Sequence, residues 1–291
     1  MVSLELLVQQ IINGLFFGGQ LALLAVGFTL IWGVARVLNF AHGGVFMIGA
    51  YAGLFAIMVT DSWLLAIVFG MTVTFLIGIG TETFLIRPLR GREEFDIAMI
   101  IATLGLWFVL EHSMRLVFSS QQRSVPPITR EIWIVQDIVI NVNRMLVFFI
   151  SILAIVLLFA LIKYTKFGLA VRAAAEDSQT TELMGVNLPR MYAVTFGIST
   201  ALAGLAGVLL GPIFSVYPSV GDRPFLLAFI VVMIGGLGSI RGTLIAALTL
   251  AVIRSVALIW TSAEGAMIIL FAFMAAVLII SPEGIGGWIK S

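Results

Sequence analysis

The side chains best able to do chemistry are concentrated in one polar stretch, from Lys163 to Pro189. Its segment AVRAAAEDSQTTELM consists largely of good helix formers, and Gly185 follows as a residue suited to ending a helix. The residues singled out here are Arg172, Glu176, Asp177, Glu182 and Gly185. We predict a short polar surface helix that docks a soluble partner, and an ordinary surface loop is the simpler alternative.

Two glycine-rich polar interruptions of the apolar pattern form the second group. The first covers residues 36–44 and the second covers residues 235–242. Irregular backbone at membrane depth persists only where it is buried in protein or faces water, and matching interruptions in two halves are typical of a transport path. The candidate path residues are Asn39, His42, Gly43, Gly44, Gly235, Gly236 and Gly238. The alternative is that both stretches are surface loops that cap ordinary helices.

Catalytic constellations are absent from the sequence. There is no cysteine, which excludes thiolate catalysis and cysteine-built metal sites, and the two histidines do not form a cluster. No G-x-x-x-x-G-K-[ST] segment, H-E-x-x-H motif or Ser/His/Asp arrangement occurs. We therefore expect a chain that is not an enzyme, that binds no cofactor or metal, and that takes any energy from nucleotide through another polypeptide.

The composition places the chain in a membrane. It is 61% hydrophobic and 11% charged, with a mean hydropathy of +1.15, whereas soluble domains have about 25% charged residues. The net charge of +1 is uninformative about nucleic acid, and we expect no nucleic-acid partner. We predict an all-α polytopic helix bundle with about eight transmembrane helices, interrupted or re-entrant segments and a cytoplasmic helix. A single permease domain would cover residues 1–291, with the polar loop at about 163–190.

The apolar runs give approximate span boundaries. The predicted spans cover residues 11–34, 63–86, 95–118, 145–162, 191–210, 243–260 and 265–280, with one more apolar run that ends at Val59. The segment 225–237 is too short for a straight span, because a helix rises by about 1.5 Å per residue. Basic residues concentrate in the loops at 87–92 and 163–190, which places these loops in the cytoplasm and the N-terminus outside.

Few ionisable residues lie within the spans. Glu111 and Arg115 are spaced i, i+4 and can pair on one helix face, while Glu82 lies near Arg87 and Arg90. Arg254 lies in the middle of a span without a local partner, so it has to face the protein interior or a partner subunit. There are too few intramembrane acids for a proton relay.

Glycine spacing predicts close helix packing. The pairs with four-residue spacing are Gly14 and Gly18, Gly49 and Gly53, Gly207 and Gly211, and Gly238 and Gly242.

Three motifs together resemble one family. VLNFAHGGVFMIGAY, FGLAVRAAAEDSQTTELMGVNLPRMYAVTFGISTALAGLAGVLLGP and FIVVMIGGLGSIRGTLIAA follow the order found in Liv-type branched-chain amino acid ABC transporter permeases. The NFAHG form resembles the H-type permease of that family rather than its M-type partner. The resemblance extends over almost the whole chain.

The resemblance implies an importer of branched-chain amino acids in a bacterial inner membrane. This permease would pair with a second, similar permease in membrane lipid, two ATPase subunits would bind ATP and dock on the cytoplasmic loops, and an extracytoplasmic binding protein would deliver the solute. The segment from Arg172 to Met184 would be the coupling helix, with Glu176 and Asp177 supplying polarity for docking. Permeases of the same family that carry urea or short amides, and a stand-alone secondary transporter or channel, remain as alternatives.

Overall fold

The computed structural model describes residues 4–135, 138–281 and 284, which fold into a bundle of α-helices. The helices are α1 (Leu4–Ala35), α2 (His42–Thr60), α3 (Trp63–Gly80), α4 (Phe95–Phe118), α5 (Val142–Tyr164), α6 (Lys166–Glu176), α7 (Ser178–Leu183), α8 (Leu188–Phe214), α9 (Asp222–Gly235), α10 (Ile240–Ala257) and α11 (Ala263–Ile280). A π-helix, Thr81–Ile86, and a 3-10 turn, Arg87–Leu89, extend α3. The single-domain prediction also includes residues that lie outside this description, at 1–3, 136–137, 282–283 and 285–291.

The described part of the chain has eight helices long and apolar enough to cross a membrane, which confirms the predicted polytopic bundle. They are α1, α2, α3 with its extension to Leu89, α4, α5, α8, α10 and α11. The remaining apolar helix, α9, has only 14 residues, as expected for the short segment. The longest spans exceed their predicted bounds, since α1 begins at Leu4 and α8 continues through Pro212 to Phe214.

The core lies along α1, α2, α8 and α9, in which most residues are buried. By contrast, α4, α5 and α11 expose large apolar side chains such as Phe108, Leu153 and Ile268. Lipid or a partner subunit has to cover these faces, because water would not solvate them favourably.

Small residues allow the central helices to approach closely. A Cβ placed on Gly49 of α2 would lie 2.4 Å from the Cα and carbonyl oxygen of Gly204 in α8. A Cβ on Gly14 of α1 would lie 2.7 Å from the Cα of Val252 in α10. The predicted role of these glycines in helix packing is therefore confirmed at both positions.

A two-stranded hairpin, which the sequence analysis did not predict, precedes α5. Strand β1 (Ile132–Val135) pairs antiparallel with β2 (Ile138–Asn141), and Trp133 faces Ile140 in the register. The Gln9 side chain donates a hydrogen bond to the Val139 carbonyl at 2.9 Å and accepts one from the Val139 amide at 2.7 Å. These bonds place the start of α1 on the same face of the bundle as the hairpin.

The two faces of the bundle can be assigned from α5. This helix begins directly after the hairpin and ends at Tyr164, next to the polar stretch that forms α6 and α7. The start of α1 and the stretch 163–190 therefore lie on opposite faces, which agrees with the predicted extracytoplasmic N-terminus.

Candidate functional site

The first interruption brings the chain back into the bundle before α2 starts. Arg36 ends α1 with a positive φ of 54°, and the segment to Ala41 is not helical. His42, the first residue of α2, lies with its Nε2 atom 3.2 Å from the carbonyl oxygen of Leu24. Leu24 precedes the end of α1 at Ala35 by 11 residues, which is about 16 Å of helix. The N-terminus of α2 therefore lies at membrane depth.

Hydrogen bonds hold the interruption in one conformation. The Asn39 side chain accepts from the Ala41 amide at 3.1 Å, and the Phe40 amide donates to the Thr103 hydroxyl of α4 at 3.3 Å. Asn39 and His42 are 1% and 0% exposed. Within the described residues, Asn39 Nδ2 and His42 Nδ1 have no hydrogen-bond partner. Each therefore has a buried polar atom that the described residues leave without a partner.

The second interruption is a tight turn between α9 and α10. Gly236 and Gly238 have φ values of 89° and 86°, a region that glycine adopts without strain. A Cβ on Gly235 would lie 2.6 Å from the Cα of Thr243, and one on Gly238 would lie 3.2 Å from the Cα of Gly33. These glycines allow α9 and α10 to meet near the C-terminal end of α1.

The structure does not bring the two groups of candidate path residues into one site. The start of α9, not the second interruption, covers the first one, since a Cβ on Gly43 would lie 2.9 Å from the Cβ of Phe225 and 3.2 Å from the Gly221 carbonyl oxygen. The second group lies at the other end of α9, about 21 Å along this 14-residue helix. Gly44 packs against Trp107 and Leu110 of α4. A role of these residues in a path stays a prediction.

The polar stretch forms two helices, and this corrects the single helix expected from Arg172 to Met184. Asp177 is extended (φ −148°, ψ 105°) between α6 and α7. Its carboxylate accepts hydrogen bonds from the Gln179 amide at 2.9 Å and the Thr180 amide at 3.1 Å, so it caps the N-terminus of α7. Because Asp177 caps α7, α6 ends at the preceding residue, Glu176. The bonds from the Thr180 hydroxyl and amide and from the Gln179 amide lower the pKa of the Asp177 carboxyl.

The other docking candidates divide into two kinds. Arg172 donates to the carbonyl oxygen of Ile162 and, at 3.4 Å, to that of Lys163, so it ties α6 to the end of α5. Glu176 and Glu182 are exposed. Gly185 follows the end of α7 with a φ of 89°, as the sequence predicted for a residue that ends a helix.

Two exposed apolar residues of this loop were missed. Leu183 ends α7 and Met184 follows it, with 87% and 81% of their surfaces exposed. Their signal in the sequence was an adjacent apolar pair inside a polar stretch, directly before a glycine. Both lie on the face of the bundle opposite the hairpin and are available to a soluble partner.

A buried ion pair lies beside this loop. Glu82, in the π-helix after α3, is fully buried and contacts Arg90 Nη2 at 3.1 Å. The Arg90 guanidinium also lies 4.1 Å from the ring centroid of Tyr192 in α8. Arg87 donates to the Pro189 carbonyl at 3.0 Å. The predicted pairing of Glu82 is thus confirmed with Arg90, and both arginines fasten the end of α3 to the start of α8.

Comparison with known proteins identifies the family. The family described as "Branched-chain amino acid transport system / permease component" matches residues 10–278. The chain belongs to this family. The permease has relatives named high-affinity branched-chain amino acid transport system permease proteins, LivH of Salmonella typhimurium and BraD of Pseudomonas aeruginosa, each 32% identical over 96% of this chain and 95% of the relative.

One more distant relative agrees in name with these two. A probable branched-chain amino acid transport permease of Methanocaldococcus jannaschii is 28% identical to the permease over 94% of this chain and 91% of the relative. The solved structure of PsaBC from Streptococcus pneumoniae in complex with Fab gives a TM-score of 0.49 at 13% identity, over 96% of this chain and 94% of that chain. A likeness at that level carries no argument.

Two further groups of charged side chains in the permease were singled out within the spans, one ion pair and one arginine. Arg115 donates to Glu111 at 2.6 Å, which confirms the predicted i, i+4 pair. Arg254 lies with its guanidinium carbon 5.0 Å from the ring centroid of Phe17 in α1. It therefore faces the protein interior, one of the two environments that the sequence allowed, but it lies in the last turn of α10 and not in the middle of the span, which corrects the prediction.

Proposed function

We propose that this chain is the permease subunit of an ATP-driven ABC importer for branched-chain amino acids in a bacterial inner membrane. A second, similar permease would complete the membrane unit, two ATPase subunits would bind and hydrolyse ATP, and an extracytoplasmic binding protein would deliver the solute. Family membership over residues 10–278 and the names of the full-length relatives support the solute class.

The structural observation that carries the proposal is the shape of the α6–α7 loop. Val171, Ala174 and Thr181 are buried against the bundle, while Leu183 and Met184 are exposed on the cytoplasmic side. A loop that is fixed on one side and exposes an apolar pair among polar side chains on the other is suited to bind a soluble subunit.

Docking of a subunit at this loop would act on the membrane helices through direct contacts. Arg172 connects α6 to α5, and Arg87 and Arg90 connect the end of α3 to the start of α8, which follows the loop. An ATPase that binds one arrangement of these helices more tightly than another would shift the population between outward and inward access. The affinity difference between the two states sets the size of that shift.

Reconstituted transport tests the proposal. Vesicles that contain this chain, its paired permease and the ATPase subunits are expected to accumulate radiolabelled L-leucine only with ATP and a leucine-loaded binding protein. A complex whose ATPase subunits carry a substitution that abolishes hydrolysis is the matched control and accumulates none. Uptake of urea or a short amide in place of leucine would overturn the solute class. Uptake by this chain alone without ATP would overturn the importer.

A further inference from the structure

A cavity of about 310 Å³ opens in the outer half of the bundle, between α1, α5, α10 and the end of α8. It lies beside the hairpin face, since Gln10 of α1 lines it and the neighbouring Gln9 bonds to Val139. None of the candidate path residues discussed above contributes to its lining.

One face of α1 supplies polar groups to this cavity. Gln10, Asn13, Phe17 and Gln20 follow one another at intervals of three, four and three residues, which places them on one side of a helix. Gln20 is only 2% exposed. Three carboxamides on one side of a transmembrane helix are costly unless they meet a polar ligand or water in a cavity.

Two arginines line the same cavity as these amides. Arg144, at the start of α5, and Arg254, in the second half of α10, both line the cavity. No Asp or Glu is among its lining residues. Within the described parts of the chain, neither arginine forms an ion pair with a carboxylate; the nearby Glu264 pairs instead with Arg223 at 3.5 Å. The described residues therefore leave the positive charge of this cavity without a counter-ion.

The remaining lining suits an aliphatic group. Ile213 and Phe214 at the end of α8 and Leu258 after α10 give apolar walls, and Phe17 lies against the Arg254 guanidinium. Ser255 donates to the Gln10 side chain at 3.0 Å, which fixes the amide oxygen at the outer edge. Carboxamide oxygens can accept hydrogen bonds from an ammonium group.

We propose that this cavity binds a free aliphatic amino acid on the outer side, with Arg254 and Arg144 holding its carboxylate. The inference rests on the proposed function and names a binding site for the solute. The α-ammonium group would meet the carboxamides of α1, and the alkyl group would contact the apolar walls. A guanidinium binds a carboxylate through two parallel hydrogen bonds, which gives orientation as well as affinity.

Direct binding to the purified complex tests the site. The complex of both permeases and the ATPases, in nanodiscs and without the binding protein, is titrated with radiolabelled L-leucine. Arg254→Gln is expected to raise the leucine Kd at least about tenfold, which matches the loss of one charge-assisted hydrogen bond. Gln20→Met is expected to raise it as well, and Arg254→Lys less than Arg254→Gln. Arg130→Gln, at an exposed outer-face arginine that does not line the cavity, is the control and leaves the Kd unchanged.

Analogues separate the chemical groups. Isocaproate, which keeps the carboxylate and lacks the amine, is expected to compete with leucine, whereas isoamylamine, which lacks the carboxylate, is not. A wild-type complex without saturable leucine binding would overturn the site. Leucine binding that Arg254→Gln and Gln20→Met leave unchanged would overturn it too. The alternative occupant of the cavity is a phospholipid, which native mass spectrometry of the complex detects. Loss of a bound phospholipid in Arg254→Gln, with leucine binding intact, would also overturn the site.

The test distinguishes this inference from the proposed function. If the wild-type complex transports leucine with ATP while Arg254→Gln and Gln20→Met bind and transport it normally, only the cavity assignment fails. If the wild-type complex transports no branched-chain amino acid under any condition, the proposed function fails, and the cavity assignment fails with it because its ligand was taken from that function.

Discussion

Glu82 and Arg90 form an ion pair in which the carboxylate is fully buried and the guanidinium is one-quarter exposed. Arg90 Nη2 lies 3.2 Å from Oε1 and 3.1 Å from Oε2 of Glu82, and the side chain of Arg90 is 26% exposed. The pair lies where the π-helix after α3 meets the start of α8. π-Helical turns are frequent at functional sites, and this one lies beside the start of α8, the helix that directly follows the proposed docking loop.

Removing only the arginine of this pair is expected to destabilise the permease. Arg90→Gln leaves the carboxylate of Glu82 buried without a counter-charge, which typically costs about 3–5 kcal/mol. Thermal unfolding of the purified protein in mild detergent, followed by fluorescence-detected size exclusion, measures the loss.

The double variant Glu82→Gln/Arg90→Gln is the control for this prediction. It removes both charges, so it is expected to recover most of the stability that Arg90→Gln loses. Equal losses in the single and double variants would show that Arg90 acts through its contact with Tyr192 and not through Glu82.

The contact between α2 and α8 gives a second prediction. Gly49→Ala places a methyl group 2.4 Å from the backbone of Gly204, so the two helices have to move apart. We expect a loss of about 1–3 kcal/mol, as for other overpacked sites. The same unfolding assay measures it.

Gly105 in α4 provides a matched control, because a Cβ there meets no atom within 4 Å. Gly105→Ala is expected to leave stability unchanged or to raise it slightly, since alanine is the better helix former. A loss in Gly105→Ala as large as that in Gly49→Ala would mean that glycine substitution itself, and not the helix contact, causes the effect.

Sequence reasoning succeeded where one physical signal dominates. Long apolar runs predicted about eight spans, and the short run ending at Leu237 predicted that α9 would not cross alone. The i, i+4 spacing gave the Glu111–Arg115 pair, which the structure confirms. These features depend only on residues close together in the chain.

Sequence reasoning failed where a local hydrogen bond, or a contact between residues far apart in the chain, determines the structure. Helix propensity favoured one helix through Asp177, but its carboxylate caps α7 and ends α6. The pairing of Gln9 with Val139 joins residues 130 positions apart, so no local pattern could reveal the hairpin's place beside α1. The separation of Gly43 from Gly238 likewise depends on how α9 packs, which a single sequence does not specify.

Reversing the charge at two acids of the docking loop gives the third prediction. Glu176→Lys/Asp177→Lys is expected to abolish ATP-dependent leucine uptake while the protein still inserts into the membrane, because the loop's negative charge becomes positive and α7 loses its cap. Uptake into vesicles, with the amount of inserted protein measured by immunoblot, checks it. Normal uptake by the double variant would remove the acids from the docking surface.

Asp177→Asn separates the cap from the charge. The Asn side chain keeps an acceptor oxygen for the Gln179 and Thr180 amides, so α7 stays capped. Because hydrogen bonds already lower the Asp177 pKa below its ordinary value of 3.8, the native side chain is ionised in any transport assay near neutral pH. We expect Asp177→Asn to retain most uptake and Asp177→Ala to lose more, whereas equal losses in the two variants would assign the effect to charge alone.

The exposed apolar pair on the loop gives the last prediction. Leu183→Asp and Met184→Asp each replace a side chain that a docked ATPase would bury, and burial of such a side chain contributes about 1.5–3 kcal/mol. Each variant is therefore expected to weaken binding of the ATPase subunits at least about tenfold in a pull-down titration, with membrane insertion unchanged. Leu4→Asp is the control, because Leu4 is also exposed but lies on the opposite face of the bundle. ATPase binding that is insensitive to both loop variants, or equally sensitive to Leu4→Asp, would show that the subunits dock elsewhere.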